Sequence, residues 1–245
     1  MTEPNTNPQR PLRIILPDQK RLKEAFADII TRADFQQEVS GDRVAKSLFI
    51  DKRGELPPLE AYQLRSDAAL EWIADGNADI AIIGLDTLNE FNAAAKNESG
   101  MFRPVPILRM SDVSACSLWL AARPEVKIEE FKDLSGLRIA TSYPSLLQQL
   151  LEKEQVKAGR IIAQKGGVEA AIVAGRADAI LEVVETGRSL AANGLEKKLR
   201  VLQSSAAMVR TSRLYGTEKE DVISKVTARI DSVAKAQKFL PLLMN

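Results

Sequence analysis

Hydrophobic positions repeat along the chain with two periods, and the change between them marks its elements. Leu12-Arg-Ile-Ile-Leu16 is a short β-rich run closed by Pro17 and reads as a buried strand. Leu22, Ala25, Phe26, Ile29, Ile30 and Ala33 then return every three or four residues, one face of an amphipathic helix. Residues 36–60 carry a weaker signal, with a strand expected over Val44–Ile50 and a turn at Lys52-Arg-Gly54. A helix is predicted from about Ser66 to Ala74, stopped at Asp75-Gly76. Asp79–Gly84 reads as a buried strand opening into a loop, Asn92–Gly100 as polar loop, and Val105–Leu108 and Ser117–Ala122 as strands.

The second half alternates more clearly. Strands are expected over Leu137–Thr141, Arg160–Gln164 and Asp178–Val184, separated by helices from Tyr143-Pro144 to about Glu154 and over Val168–Ala174. That βαβαβ rhythm implies a parallel sheet flanked by helices. Strands at Leu199–Leu202 and Ala206–Val209 precede a last helix, where Thr217 and Glu220 have capping-box spacing and Val222, Val226, Ile230 and Val233 form a stripe. No internal repeat interrupts this order.

Composition narrows the chemistry. The 245 residues contain no histidine and one cysteine, which excludes Ser-His-Asp triads, imidazole bases, intrachain disulfides and Cys/His metal clusters. With 45% hydrophobic and 27% charged residues and a formal net charge of +1, the chain reads as a globular protein without a global field for nucleic acid or anionic membranes. No apolar run approaches the ~18 residues of a membrane span, and MTEPNTNPQR lacks the apolar core of a signal peptide. The expectation is a cytoplasmic protein, with residues 1–11 a disordered tail and Cys116 a small core residue. Catalysis would rest on carboxylates, Lys/Arg, hydroxyls, backbone amides or a metal carried by the substrate.

Candidate chemistry gathers at predicted strand ends. On the expected strand 178–184, Asp178 and Glu182 share one face, and in EVVETGRSLAANGL (182–195) Thr186-Gly187 opens a turn before Ser189. Unpaired amides and two hydroxyls there suit a phosphate, with Glu182 suited to ribose hydroxyls. Thr-Gly turns are common, and by composition alone the same residues better suit an ordinary βα turn with a solvated acid and a capping hydroxyl. Lys165-Gly-Gly-Val-Glu169 and Thr141-Ser-Tyr-Pro144 are two further strand-end turns, each readable as a ligand contact or as a plain connection. Lys20 and Arg21, with Lys23 nearby, can receive a pyrophosphate or can simply be a solvated helix start, and Asp18 opposes anion binding. Arg65 beside Asp67 is similarly open.

Taken together these segments resemble ATP phosphoribosyltransferase, the family that opens histidine biosynthesis. The resemblance spans roughly 12–240 and is densest over 136–209, in GLRIATSYPSLLQQLL, GGVEAAIVAGRADAILEVVETGRSLAANGL and LQSSAAMV. It implies an α/β, two-lobed fold like type II periplasmic binding proteins, each lobe a mixed, mostly parallel sheet flanked by helices, with substrates in the cleft. Lobe I would comprise 12–113 plus about 203–245 on the nucleotide and pyrophosphate side, and lobe II 114–202 on the phosphoribosyl side. The implied reaction joins N1 of ATP to C1′ of phosphoribosyl pyrophosphate and releases pyrophosphate, with magnesium held by substrate oxygens rather than by a protein metal site.

Carried over residue by residue, Glu169, Asp178, Glu182, Thr186, Gly187, Arg188, Ser189 and Leu190 would bind the phosphoribosyl group. Lys20, Arg21, Arg65, Thr141 and Tyr143 would meet the nucleotide or pyrophosphate, and Arg21 and Glu182 would be catalytic. Several positions, most of them in the first lobe or at its border, depart from the family pattern. Asp18 and Lys20 stand where the family usually has Lys and Gly, Ala68-Ala69-Leu70 replaces Asp-Ile-Pro, and Ser117 replaces a basic residue. Ser114 and Ala115 replace glycines, and Gly167 replaces a Ser. These changes keep two rivals open: a catalytically degenerate paralogue acting as a nucleotide-binding, phosphoribosyl-binding or regulatory subunit, and a small-molecule binding protein of the same architecture. The resemblance further implies a homodimer or larger oligomer. It also implies either a short form, which works with a partner resembling histidyl-tRNA synthetase, or a long form without its last, histidine-binding domain, and no direct histidine inhibition of this chain alone.

Overall fold

The computed structural model describes residues 10–39, 46–95, 102–213 and 216–237. In chain order the elements are β1 Arg13–Pro17, α1 Lys20–Arg32, β2 Phe35–Val39, β3 Lys46–Asp51, β4 Leu59–Leu64, α2 Ser66–Ala74, β5 Ile80–Gly84, α3 Leu85–Ala94 and β6 Pro104–Met110. There follow β7 Cys116–Ala122, a 3-10 turn Phe131–Leu134, β8 Arg138–Thr141, α4 Pro144–Lys153, β9 Arg160–Ala163, α5 Glu169–Val173, β10 Ala179–Val184, α6 Arg188–Ala192, β11 Glu196–Ser204, β12 Ala206–Thr211 and α7 Thr217–Gln237. Tail residues 1–9, the expected strand start at Val44, the loop at 96–100, the Thr217 side chain and the end beyond Gln237 lie outside the described residues.

The chain forms two units. The first takes the described residues of Met1–Leu88, Asn97–Ser114 and Ser205–Asn245, and the second those of Asn89–Lys96 and Ala115–Ser204. Segment 89–96 therefore goes with the second unit, because Glu90 of α3 caps α4. Its carboxylate accepts the amides of Ser145 at 2.9 Å and Leu146 at 2.7 Å, two donors that the first turn of a helix leaves unpaired.

The first unit is a seven-stranded sheet ordered β2-β3-β4-β1-β5-β12-β6, in which only β4-β1 and β1-β5 are parallel. The second is five-stranded, ordered β11-β7-β10-β8-β9, parallel across β10-β8 and β8-β9. Both sheets are mixed, with a parallel portion flanked by antiparallel strands that account for the remaining pairings. Leu22, Phe26 and Ile29 of α1 enter the first core beside Ile14, Leu16, Ile80 and Ile230, and Phe35 stacks on Phe49 at 4.5 Å between centroids. In the second unit the two sheet faces carry separate cores. Leu118, Leu120 and Leu181 pack with α4 on one face, and Ala121, Ile180 and Val184 pack with α5 and α6 on the other.

Three expectations are corrected. The loop expected after Gly84 is helix α3, which runs through Asn92–Ala94. Of its side chains only Asp86 and Leu88 are buried, so no apolar stripe announces it. Strands β2 and β4 occupy part of the weak region, with polar residues alternating with Phe35, Leu59 and Ala61. Finally, Arg10 is no part of a disordered tail. It is buried, and its guanidinium donates to both Asp79 oxygens at 2.6 and 2.7 Å and to the Gly76 carbonyl at 3.1 Å.

The last helix is fastened by a second ion pair, in which Asp51 is buried and Arg229 partly so. Arg229 donates to Asp51 at 2.6 and 3.1 Å, while Asp51 also accepts the amides of Arg53, Glu55 and Leu56. These bonds, that from Arg229 foremost, lower the Asp51 pKa from 3.8 to about 2. A depressed carboxyl contributes stability above its unfolded value and loses it as pH falls through the folded one. Asp51→Asn is expected to cost about 2 kcal/mol at pH 7. In urea titrations the gap between variant and parent should close as pH falls from about 4 toward 2; a gap independent of pH would contradict this account.

Candidate active site

Each parallel portion presents its strand ends to a set of loops, the place where open α/β sheets bind ligands. In the first unit the ends of β4, β1 and β5 lie side by side. The Asp18 amide donates to the Leu64 carbonyl at 3.0 Å. Ser66 Oγ donates to Gln19 Oε1 at 3.3 Å and lies 3.5 Å from the Gly84 amide. A side chain at Gly84 would meet Asp86 Oδ1 at 2.6 Å, so glycine permits the Asp86 carboxylate to fold back over the strand end. Arg21 Nη1 donates to the carbonyl of Ser114, a residue held at φ 54° where a serine is strained. Lys20 is exposed, 3.9 Å from Glu24, and Arg65 is exposed, 3.6 Å from Asp67. Lys20 and Arg21 open α1 and Arg65 immediately precedes α2, so the three cations follow the ends of the adjacent strands β1 and β4.

In the second unit, parallel pairing sets Leu181 opposite Thr141, so Glu182 and Ser142 follow on the opposite sheet face. Ser142 Oγ donates to Glu182 Oε2 at 2.9 Å, lies 3.1 Å from the Gln164 carbonyl, and stands 3.5 Å from the Gly166 amide. One hydroxyl thus joins the ends of β8, β9 and β10. Glu182 Oε1 accepts the Val183 amide at 2.8 Å, which orients the carboxylate further.

Beyond β10 the chain turns through Gly187, left-handed at φ 80°, into α6. Thr186 Oγ1 lies 3.4 Å from both the amide and Nε of Arg188, and Ser189 Oγ donates to Glu169 Oε1 at 2.6 Å. Glu169, Glu182, Val183, Val184, Glu185, Thr186, Gly187, Arg188, Ser189 and Leu190 line one open cavity of about 250 Å³. Seven of the eight residues expected at a phosphoribosyl site therefore meet in one place. The Leu190 side chain is buried and anchors the loop to the core.

The eighth, Asp178, does not join them. It precedes β10, four residues and so about 13 Å along the strand from Glu182. There it accepts Arg138 Nη2 at 2.6 Å, Nε at 3.0 Å and the Arg138 amide at 2.8 Å. Hydrogen bonding from Arg138 lowers its pKa. Equal spacing along one strand face placed Asp178 and Glu182 together in the sequence, but the two occupy opposite ends.

Thr141 and Tyr143, expected near the nucleotide, are also redirected. The Thr141 hydroxyl is fully buried, donates to the Leu181 carbonyl at 2.7 Å and accepts the Tyr143 amide at 2.9 Å. The Tyr143 ring packs with Leu146 and Leu147. Ser142, between them, is the outward residue, and strand alternation was the signal that could have singled it out. Among the described residues, no group of three or more Asp, Glu, His or Cys stands where it could hold a metal ion. No helix there is long and apolar enough to cross a membrane.

Two mixed sheets with ligand-facing loops at their strand ends define a two-lobed α/β protein of the periplasmic-binding-protein kind. Solved structures agree on that fold. The periplasmic aliphatic sulphonate binding protein SsuA from Escherichia coli is 15% identical, covering 93% of this chain and 74% of its own, with a TM-score of 0.58. The ligand-binding core of GluR0 from Nostoc punctiforme is 16% identical over 93% of both chains, with a TM-score of 0.53. A chain of the ATP phosphoribosyl transferase (HisG:HisZ) complex from Thermotoga maritima is 25% identical, covering 92% of this chain and 99% of its own, with a TM-score of 0.65. A model of the ATP phosphoribosyltransferase family matches residues 65–232. The chain belongs to that family.

The position of Asp178 makes a separable prediction. Asp178→Asn should lower stability by about 1 kcal/mol, since the pair with Arg138 is partly solvated. Affinity for phosphoribosyl pyrophosphate should stay within about twofold. Calorimetric titration beside thermal melting checks both; a selective loss of affinity would return Asp178 to the ligand.

Proposed function

We propose that this chain is an ATP phosphoribosyltransferase that moves the phosphoribosyl group of phosphoribosyl pyrophosphate to N1 of ATP. The observation that carries the reading is the cavity in which Glu182, Glu169 and the Thr186–Leu190 loop meet, the residues that match the family's ribose and 5′-phosphate positions. The loop holds the 5′-phosphate through backbone amides and the Thr186 and Ser189 hydroxyls. Glu182, oriented by Ser142 and the Val183 amide, accepts hydrogen bonds from ribose hydroxyls.

In the reaction the C1′–oxygen bond to pyrophosphate breaks, its electron pair leaves with the pyrophosphate, and the N1 lone pair of adenine forms the new bond to C1′. Positive charge develops on the ribose at the transition state, so a fixed carboxylate near it is stabilising. Arg21 and Lys20 at the start of α1, with Arg65 before α2, receive the polyphosphate charge, and magnesium enters on the substrate's own oxygens. Holding both reactants supplies much of the acceleration, which suits a chain without histidine. The Thermotoga maritima chain is part of a HisG:HisZ complex; by analogy this chain works as an oligomer with a regulatory subunit resembling histidyl-tRNA synthetase, in the cytoplasm.

Purified chain with ATP, phosphoribosyl pyrophosphate, magnesium and pyrophosphatase should form phosphoribosyl-ATP, alone or once such a subunit is added. Absence of product in both conditions would overturn the enzyme reading, and phosphoribosyl pyrophosphate binding without turnover would favour a degenerate subunit. Thr186→Ala combined with Ser189→Ala should weaken phosphoribosyl pyrophosphate binding by roughly tenfold or more and ATP binding by less than about twofold. Equal losses would contradict the loop assignment.

A further inference from the structure

The cavity beside Gly187 poses an electrostatic problem. Its lining carries three carboxylates, Glu169, Glu182 and Glu185, against one cation, Arg188. A phosphate dianion brought there meets an acidic surround, and like charges at contact distance are unfavourable. Part of the answer stands on β11, outside that lining.

Strand pairing aligns Lys197 with Ala121, and Ala121 with Ile180. Directly paired residues project to the same sheet face, so Lys197 shares the face of Ile180, Glu182 and α6. Its ammonium lies 5.4 Å from the Trp119 ring centroid. A side chain built at Gly187 would come within 3.2 Å of Lys197 Cε and 3.7 Å of Nζ. Glycine at 187 therefore does two things: it accepts the left-handed turn, and it leaves room for the lysine stem against the loop. Among the described residues Lys197 takes part in no ion pair. The adjacent Lys198 is committed elsewhere, to the Pro124 carbonyl and to Glu196, both at 3.1 Å.

We propose that Lys197, steadied on Trp119, is a phosphate-binding residue of this site, supplying the second cation for the 5′-phosphate held by the Thr186–Leu190 loop. The inference rests on the phosphoribosyl reading of that loop. Lys197 acts by charge at the back of the turn, and Trp119 limits the orientations of its stem. It also makes the site selective for a ligand that carries a phosphate on its sugar over one that carries only a polyphosphate.

The test uses the full chain, calorimetry and four probes: phosphoribosyl pyrophosphate, ribose 5-phosphate, inorganic pyrophosphate and ATP. Lys197→Met keeps the stem and removes the charge. It should weaken phosphoribosyl pyrophosphate and ribose 5-phosphate by about five- to tenfold, with pyrophosphate and ATP changed by less than about twofold. Lys197→Arg keeps the charge and the ring contact and should hold all four within about twofold. Unchanged ribose 5-phosphate affinity in Lys197→Met overturns the proposal, as does a loss confined to pyrophosphate or a loss that Lys197→Arg does not rescue. If the loop double variant loses the sugar phosphates while Lys197→Met keeps them, this inference alone falls. If the parent chain binds neither sugar phosphate, the phosphoribosyl reading falls with it.

Discussion

The register of β8 against β10 is the constraint on which the second unit's site depends. Thr141 lies opposite Leu181, and the Thr141 hydroxyl closes the pair by donating to the Leu181 carbonyl. With that register set, Ser142 and Glu182 emerge one residue later on the same face and within hydrogen-bond reach. A slip of one residue would send Glu182 into the packed face beside Leu120 and Leu147, and Leu181 into the site. The buried Thr141 hydroxyl, expected to touch a ligand, instead fixes where Ser142 and Glu182 emerge.

The second-unit site gathers opposing charges on a rigid frame. Glu182 is oriented by two donors and Glu169 by the Ser189 hydroxyl, so the carboxylates are directed before any ligand arrives. Such preorganisation favours a ribose that develops positive charge and disfavours a phosphate, unless cations and amides offset the acids. The loop at Gly187 brings both, because its backbone turns left-handed and its missing side chain leaves Lys197 close by. In the first unit Lys20 and Arg21 open the helix after β1, Arg65 follows β4, and Arg21 is held by the carbonyl of a strained Ser114.

Much of this was legible in the sequence. Apolar periods located β1, α1, α2, β5 and the alternating second half to within a few residues, because those elements bury continuous stripes. They failed at α3, whose buried side chains include a carboxylate, and at β2 and β4, whose apolar positions alternate with Gln, Glu and Tyr. The motif around EVVETGRSL brought together Glu182, Thr186, Gly187, Arg188 and Ser189, since residues close in sequence at one strand end stay close in space. It erred at Asp178, where closeness along a strand still spans the sheet's full depth.

By itself the sequence determined the βαβ order, the family motif and the exclusion of histidine and disulfide chemistry, because composition and local periodicity need no long-range pairing. Tertiary structure alone decided which of two adjacent lysines reaches the loop, that Ser142 rather than Thr141 or Tyr143 meets Glu182, and that Arg10 closes over Asp79. Each of these depends on strand register or on contacts between distant segments. Those are set by how whole faces pack, and no short stretch of sequence contains them.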